Sequence, residues 1–165
     1  MAADGRVSVG TALAPPTSAA ELALLKRLET SIVRERTLDH QGAVNRRYRS
    51  VWELVAAHGS WSTPAPLMAG IQPRPEEECF TSAAAVEREY PHLAYTEGFV
   101  STDRCVVLHA WCTAPDGRVI DPTWPGGGSA YLGIRLPADL RPCAPHHWGV
   151  LEAPDTLYQL LCNGL

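Results

Sequence analysis

Charge is scarce in this chain of 165 residues: Asp, Glu, Lys and Arg together make up 19% of it, and the formal net charge is −4. A weakly charged, slightly acidic chain has no overall field to draw it onto nucleic acid or an anionic membrane, so neither partner is expected. No apolar run approaches the ~20 residues of a membrane-spanning helix. Met1 to Ala20 lacks the basic start and apolar middle of a secretion signal, and it lacks a lipidation motif. Residues 1–17 therefore read as a flexible tail on a cytoplasmic protein. Cysteines number five, an odd count without a regular framework, which argues against a disulfide scaffold and for reduced thiols. No CxxC pair is present. Gly126-Gly127-Gly128 lacks the lysine and spacing of a phosphate loop, so it reads as a connector. No internal repeat is visible, and no cofactor is implied.

What the chain does have is a stretch, Val107 to Trp124, that can set a histidine beside an aspartate. Cys105 to Cys112 is rich in β-branched, aromatic and small apolar residues and suits a strand, and Val119 to Thr123 suits another. Between them, Pro115-Asp116-Gly117 has the chemistry of a three-residue hairpin loop, with glycine in the left-handed closing position. That loop pairs Ala114 with Arg118, which puts Trp111 opposite Asp121 and His109 opposite Thr123. His109 and Asp121 become diagonal neighbours on one face. A two-residue loop would slip the register and turn Asp121 to the other face. A carboxylate that fixes an imidazole makes two thirds of a nucleophilic triad. A buried pair that merely satisfies a hairpin is the alternative.

Upstream, Ser18-Ala-Ala-Glu21 has the spacing of a capping box, and Leu22, Leu25, Leu28 and Ile32 follow at helical intervals to about Arg36, with an end near Gly42. A second helical stripe carries Val44, Tyr48, Val51, Trp52 and Val55 and stops at His58-Gly59. Arg34, Arg36, Arg46, Arg47 and Arg49 read as a solvated face, with an acidic partner as the alternative. Ser60 to Pro75 is dense in proline, serine and glycine and reads as a surface loop, though Trp61, Met68, Ile71 and Gln72 make it sticky enough to line a site.

Pro75 and Glu76 to Glu78 then open a helix that reaches Tyr90, with Cys79 one turn in. Free amides at a helix start favour a thiolate, and a neighbouring imidazolium favours it further; the three glutamates work against it. A small buried apolar residue is the alternative for Cys79. After Pro91, His92 to Val100 reads as a strand that forms an antiparallel sheet with the hairpin, extended by Tyr131 to Leu136. Arg141 to Gly149 is irregular, and Pro154 to Leu161 suits a short closing helix. Two helices, a cysteine-bearing helix and a meandering sheet make an α+β fold.

Cys79 at the start of an alanine-rich helix, Tyr95-Thr-Glu-Gly-Phe99, His109-Ala-Trp111 and Gly117-Arg-Val-Ile-Asp121-Pro-Thr123 together resemble the transglutaminase-like core of the papain-like cysteine hydrolase superfamily. The likeness spans Glu78 to Trp124. It implies a cysteine-bearing helix packed on an antiparallel sheet, the catalytic core at 76–136. The length suits one domain over residues 18–165, whose N-terminal helices at 18–58 lie outside the likeness and are followed by the loop at 60–75. The likeness also implies Cys79 as nucleophile, His109 as base and acid, and Asp121 as the orienting carboxylate. Glu76 to Glu78 stand where many relatives have small or apolar residues.

The chemistry then expected is cleavage of an amide or peptide bond through a thioester on Cys79. The Cys79 N–H and a second donor from the upstream loop, Gln72 or Trp61, would hold the oxyanion. Trp111 would wall the acyl pocket or simply pack on the sheet. Transfer of the acyl group to an amine is one alternative, since this superfamily hosts several reactions. A non-catalytic binding module is another. A zinc site from Cys105, His109, Cys112, Cys143, His146 and His147 is disfavoured, because His109 and Cys112 point to opposite faces of one strand.

Overall fold

The structure, a computed structural model, describes residues 12–38, 46–141, 149–152 and 159–165. Ser18 caps the first helix, α1 (Ala19–Thr37), as the capping box predicts: its hydroxyl accepts the Glu21 N–H at 3.1 Å, and the Glu21 carboxylate accepts the Ser18 N–H at 3.2 Å. That cap turns Glu21 inward, and the buried stripe runs Glu21, Leu24, Leu28, Ser31. Leu22, one residue and about 100° further round, points out and is 44% exposed, against expectation. The second helix, α2 (Val51–His58), is shorter than its apolar stripe suggests. Ser50 caps it by accepting the Glu53 N–H at 3.3 Å, so Tyr48 lies before the helix rather than in it. Val44 and Gly42 lie outside the described residues.

The expected loop after α2 begins with a strand instead, β1 (Ser60–Ser62). Further on, one turn of 3-10 helix (Glu76–Glu78) leads into α3 (Cys79–Glu89). Strands β2 (Ala94–Ser101), β3 (Val106–Thr113), β4 (Val119–Ile120) and β5 (Ala130–Arg135) follow, then a 3-10 turn at Ala138–Leu140 and α4 (Gln159–Asn163). The start of the expected closing helix, Pro154 to Tyr158, lies outside the described residues.

The strands form one antiparallel sheet in the order β1-β5-β2-β3-β4. The β2–β3–β4 meander is as expected. β5 does not extend it beyond β4; the connection from Asp121 to Ser129 carries the chain back to the far side of β2, where Gly98 faces Gly133. Beyond β1, the chain meets β4: Thr63 donates to the Gly117 carbonyl and accepts from the Val119 N–H, both at 2.9 Å. The two edges thus come together, and the sheet curls.

Its two faces are built differently. Tyr95, Glu97, Phe99, Leu108, Ala110, Cys112, Leu132 and Ile134 alternate onto the face that α1, α2 and α3 cover. Trp52 of α2 stacks flat on Phe99 at 3.6 Å, and the Cys112 thiol donates to the Ala83 carbonyl of α3 at 3.2 Å. The other face, turned in by the curl, buries Val100, Trp111, Val119 and Tyr131 as a second small core. Gly133 makes room there, since a Cβ would come within 2.6 Å of the Trp111 ring.

Candidate active site

His109 and Asp121 are presented by the β3–β4 hairpin in the register that its turn dictates. Thr113 pairs with Val119, Ala114 donates to Arg118 at 2.9 Å, and Gly117 closes the loop at φ 86°. A side chain is strained at that angle, so glycine takes it. The strand ends at Ile120 rather than Thr123, because Asp121 folds the chain about its own carboxylate. Oδ1 accepts the Thr123 N–H, the Thr123 hydroxyl and the Trp124 N–H at 3.0–3.1 Å. Oδ2 accepts the His109 ring at 2.9 Å and the Tyr131 hydroxyl at 3.0 Å. Five donors therefore hold a carboxylate that is only 2% exposed.

The ring nitrogen on Asp121 is Nε2. An ionised carboxylate only accepts, so Nε2 carries the proton, and Nδ1 is the nitrogen left to exchange one. Cys79, the first residue of α3, is the second side chain that raises the pKa of this ring. α3 packs against β3, the strand that carries His109. Trp124 lies flat on His109 at 4.2 Å.

Burial pulls the His109 pKa down, but the hydrogen bonds to Asp121 and Cys79 and the charges of both outweigh it and carry it to about 9. Burial works against the Asp121 carboxylate, yet its bond to His109, the nearby imidazolium and its backbone donors hold it below the usual range. The two directions agree: the pair favours imidazolium beside carboxylate. The arrangement can keep a proton on the imidazole near a sulfur, and so can support general acid and base work at that sulfur.

The remaining sequence-predicted residues part ways. Trp61 donates its indole N–H to the Ala14 carbonyl at 2.8 Å, so that donor is engaged within the chain. Gln72 is exposed. Trp111 shares the face of His109, but it is completely buried against Tyr131 and Gly133 and packs the inner core rather than lining an open pocket. Cys105 precedes β3 instead of lying in it and is exposed beside Thr102. Cys112 lies on the helix-covered face, where burial pushes its thiol up to about 12. Among the described residues no cluster is fit for a metal, while Cys143, His146 and His147 lie outside them.

Sequence reasoning missed Tyr131, Trp124 and Glu97. Glu97 is fully buried and accepts from the Tyr95 hydroxyl at 2.6 Å and from the Val150 and Leu151 N–H groups at 2.8 and 3.1 Å. It thereby ties Gly149 to Leu151 onto the sheet beside Phe80, the residue after Cys79. Burial raises its pKa despite these donors. The only hint was an acid at the centre of an apolar strand; Tyr131 and Trp124 gave none, because tertiary pairing alone brings them to Asp121 and His109. A cavity of about 530 Å³ lined by Arg49, Trp52, Phe99 and Leu108 belongs to the helix-covered face, not to this site. No helix among the described residues is long and apolar enough to cross a membrane. No family model, curated protein or solved structure matches the chain.

Proposed function

We propose that this chain is a cysteine hydrolase on a transglutaminase-like fold, cleaving an amide or peptide bond through a thioester on Cys79. The observation that carries the reading is the His109 ring held by the buried Asp121 carboxylate at 2.9 Å, with Cys79 the other side chain that raises its pKa. With its proton on His109, the Cys79 sulfur attacks the substrate carbonyl, forming an S–C bond while the carbonyl π pair moves to oxygen. Collapse of that oxyanion expels the amine, which takes the proton from His109. Water, deprotonated by His109, then attacks the thioester, and the sulfur leaves with the acid as product. Asp121 keeps the imidazole in one tautomer and balances its positive charge throughout. The α+β architecture, with a cysteine opening a helix packed on an antiparallel sheet, agrees with this reading.

Acyl transfer is the second reading, favoured by one observation. Cys79 is 8% exposed and His109 2%, and a water-poor site lets an amine compete for the thioester. The test is mass spectrometry of the protein with a panel of acyl donors, followed by primary amines. An adduct on Cys79 released as free acid supports hydrolysis, and release as amide supports transfer. No adduct with any donor, while Cys79 remains alkylatable, counts against both and leaves a binding module.

A further inference from the structure

We propose that Tyr131 is a positioning residue for His109: its hydroxyl donates to the same Asp121 oxygen that holds the imidazole, fixing that oxygen's direction and sharing its charge. Its role in acyl chemistry rests on the reading above; its effect on the imidazole does not. A relay of bonds leads to the shared atom. The Gly128 N–H donates to the Tyr131 oxygen at 2.7 Å, and the Tyr131 hydroxyl donates to Asp121 Oδ2 at 3.0 Å, beside His109 Nε2 at 2.9 Å. The phenol accepts one hydrogen bond and donates one, so its own proton is committed to Asp121. The ring cannot swing away. Tyr131 is fully buried, sits edge-on to Trp111 at 5.1 Å, and belongs to β5, which the curl of the sheet brings across from the hairpin.

Two donors on one carboxylate oxygen compete for its charge. The stronger the Tyr131 bond, the weaker the pull of Oδ2 on the imidazolium, and so the more readily His109 gives up its proton. The titratable groups facing the ring among the described residues are Asp121, after β4, and Cys79, from α3. Trp111 and Trp124 flank it without charge. Tyr131 acts on it through Asp121. In this arrangement the phenol lets a tightly held imidazole act as a proton donor as well as an acceptor.

The experiment is an NMR titration of the His109 imidazole in the full chain. Tyr131→Phe keeps the ring and its packing and removes only the hydroxyl, and the His109 pKa should rise by about half a unit or more. Tyrosine replaced by 3-fluorotyrosine at position 131 donates a stronger hydrogen bond and keeps the fold, and the pKa should fall. Opposite shifts support the proposal. An unmoved pKa in both proteins, or shifts of the same sign, overturns it, because a residue that only fills space would not move the titration with its phenol acidity. Should Tyr131→Phe not fold, the fluorinated protein decides by its direction alone. In the acylation assay, the pH profile of thioester formation should move with the measured His109 pKa. A wild-type chain that forms no thioester sinks the triad reading, while the titration still decides the role of Tyr131.

Discussion

The two faces of the sheet answer to different physics. The helix-covered face is closed by apolar side chains such as Leu132, Ile134, Phe99 and Val86, whose burial depends on area and shape. The inner face carries Val100, Trp111 and Val119 in a small core but is crossed by polar side chains that satisfy one another. Ser62, Thr113 and Thr96 form one hydrogen-bonded row, and His109, Asp121, Thr123 and Tyr131 form another. Hydrogen bonds are directional, so these rows hold atoms in place where apolar contacts only exclude water; on the helix-covered face the Tyr95–Glu97 pair is the polar exception. A buried polar row is tolerable only when its members are paired. The candidate site therefore sits on the face that could be made rigid, and bulk stability comes from the other.

That division is open to attack from either side. The largest effect should come from Cys79→Ala, which removes the sulfur without disturbing the rows: thioester turnover should fall by at least about 10⁴-fold, with the melting temperature nearly unchanged. Asp121→Asn should come next. It keeps the shape but offers an amide to a ring that needs a carboxylate, so turnover should fall by about 10³–10⁴-fold and the His109 pKa should drop, read by kinetics and NMR.

On the helix-covered face the pattern should reverse. Leu132→Ala should cost about 2–5 kcal/mol in urea denaturation and leave the rate per folded molecule unchanged. Loss of turnover with intact stability there would break the comparison.

Proton linkage probes the inner face without mutation. The folded pKa of His109, about 9, lies above its ordinary 6.5, so the pair's stabilisation is complete below 6.5 and is lost as pH rises through about 9. Wild type should lose stability relative to His109→Gln over that window, by roughly 1–3 kcal/mol in paired denaturation curves. Asp121 has the opposite sign: its depressed pKa gives stabilisation that is present above the usual carboxylate range and lost on acidification below it. The smallest effect should be Gly117→Ala, where nothing crowds a Cβ and only the φ of 86° objects, at about 1 kcal/mol by thermal melting.

Local sequence determined what local rules govern. Ser18-Ala-Ala-Glu21 writes a capped helix start because both cap bonds close within four residues. Pro115-Asp116-Gly117 dictates the hairpin loop, and through its register the shared face of His109 and Asp121, since strand alternation has a period of two. The same locality explains where reading along the chain stopped: the buried side of α1, the strand hidden in Ser60–Ser62, and the return of β5 to β2 are settled by what each segment meets far away in the chain. Only the tertiary structure decided that Tyr131, ten residues beyond Asp121, shares its oxygen, and that Glu97 clasps backbone 53 residues away. It also decided that α3, which Cys79 opens, packs on β3, the strand that carries His109. A turn limits φ and ψ within a few bonds, whereas these pairings exist only once the sheet has curled and the helices have covered one of its faces.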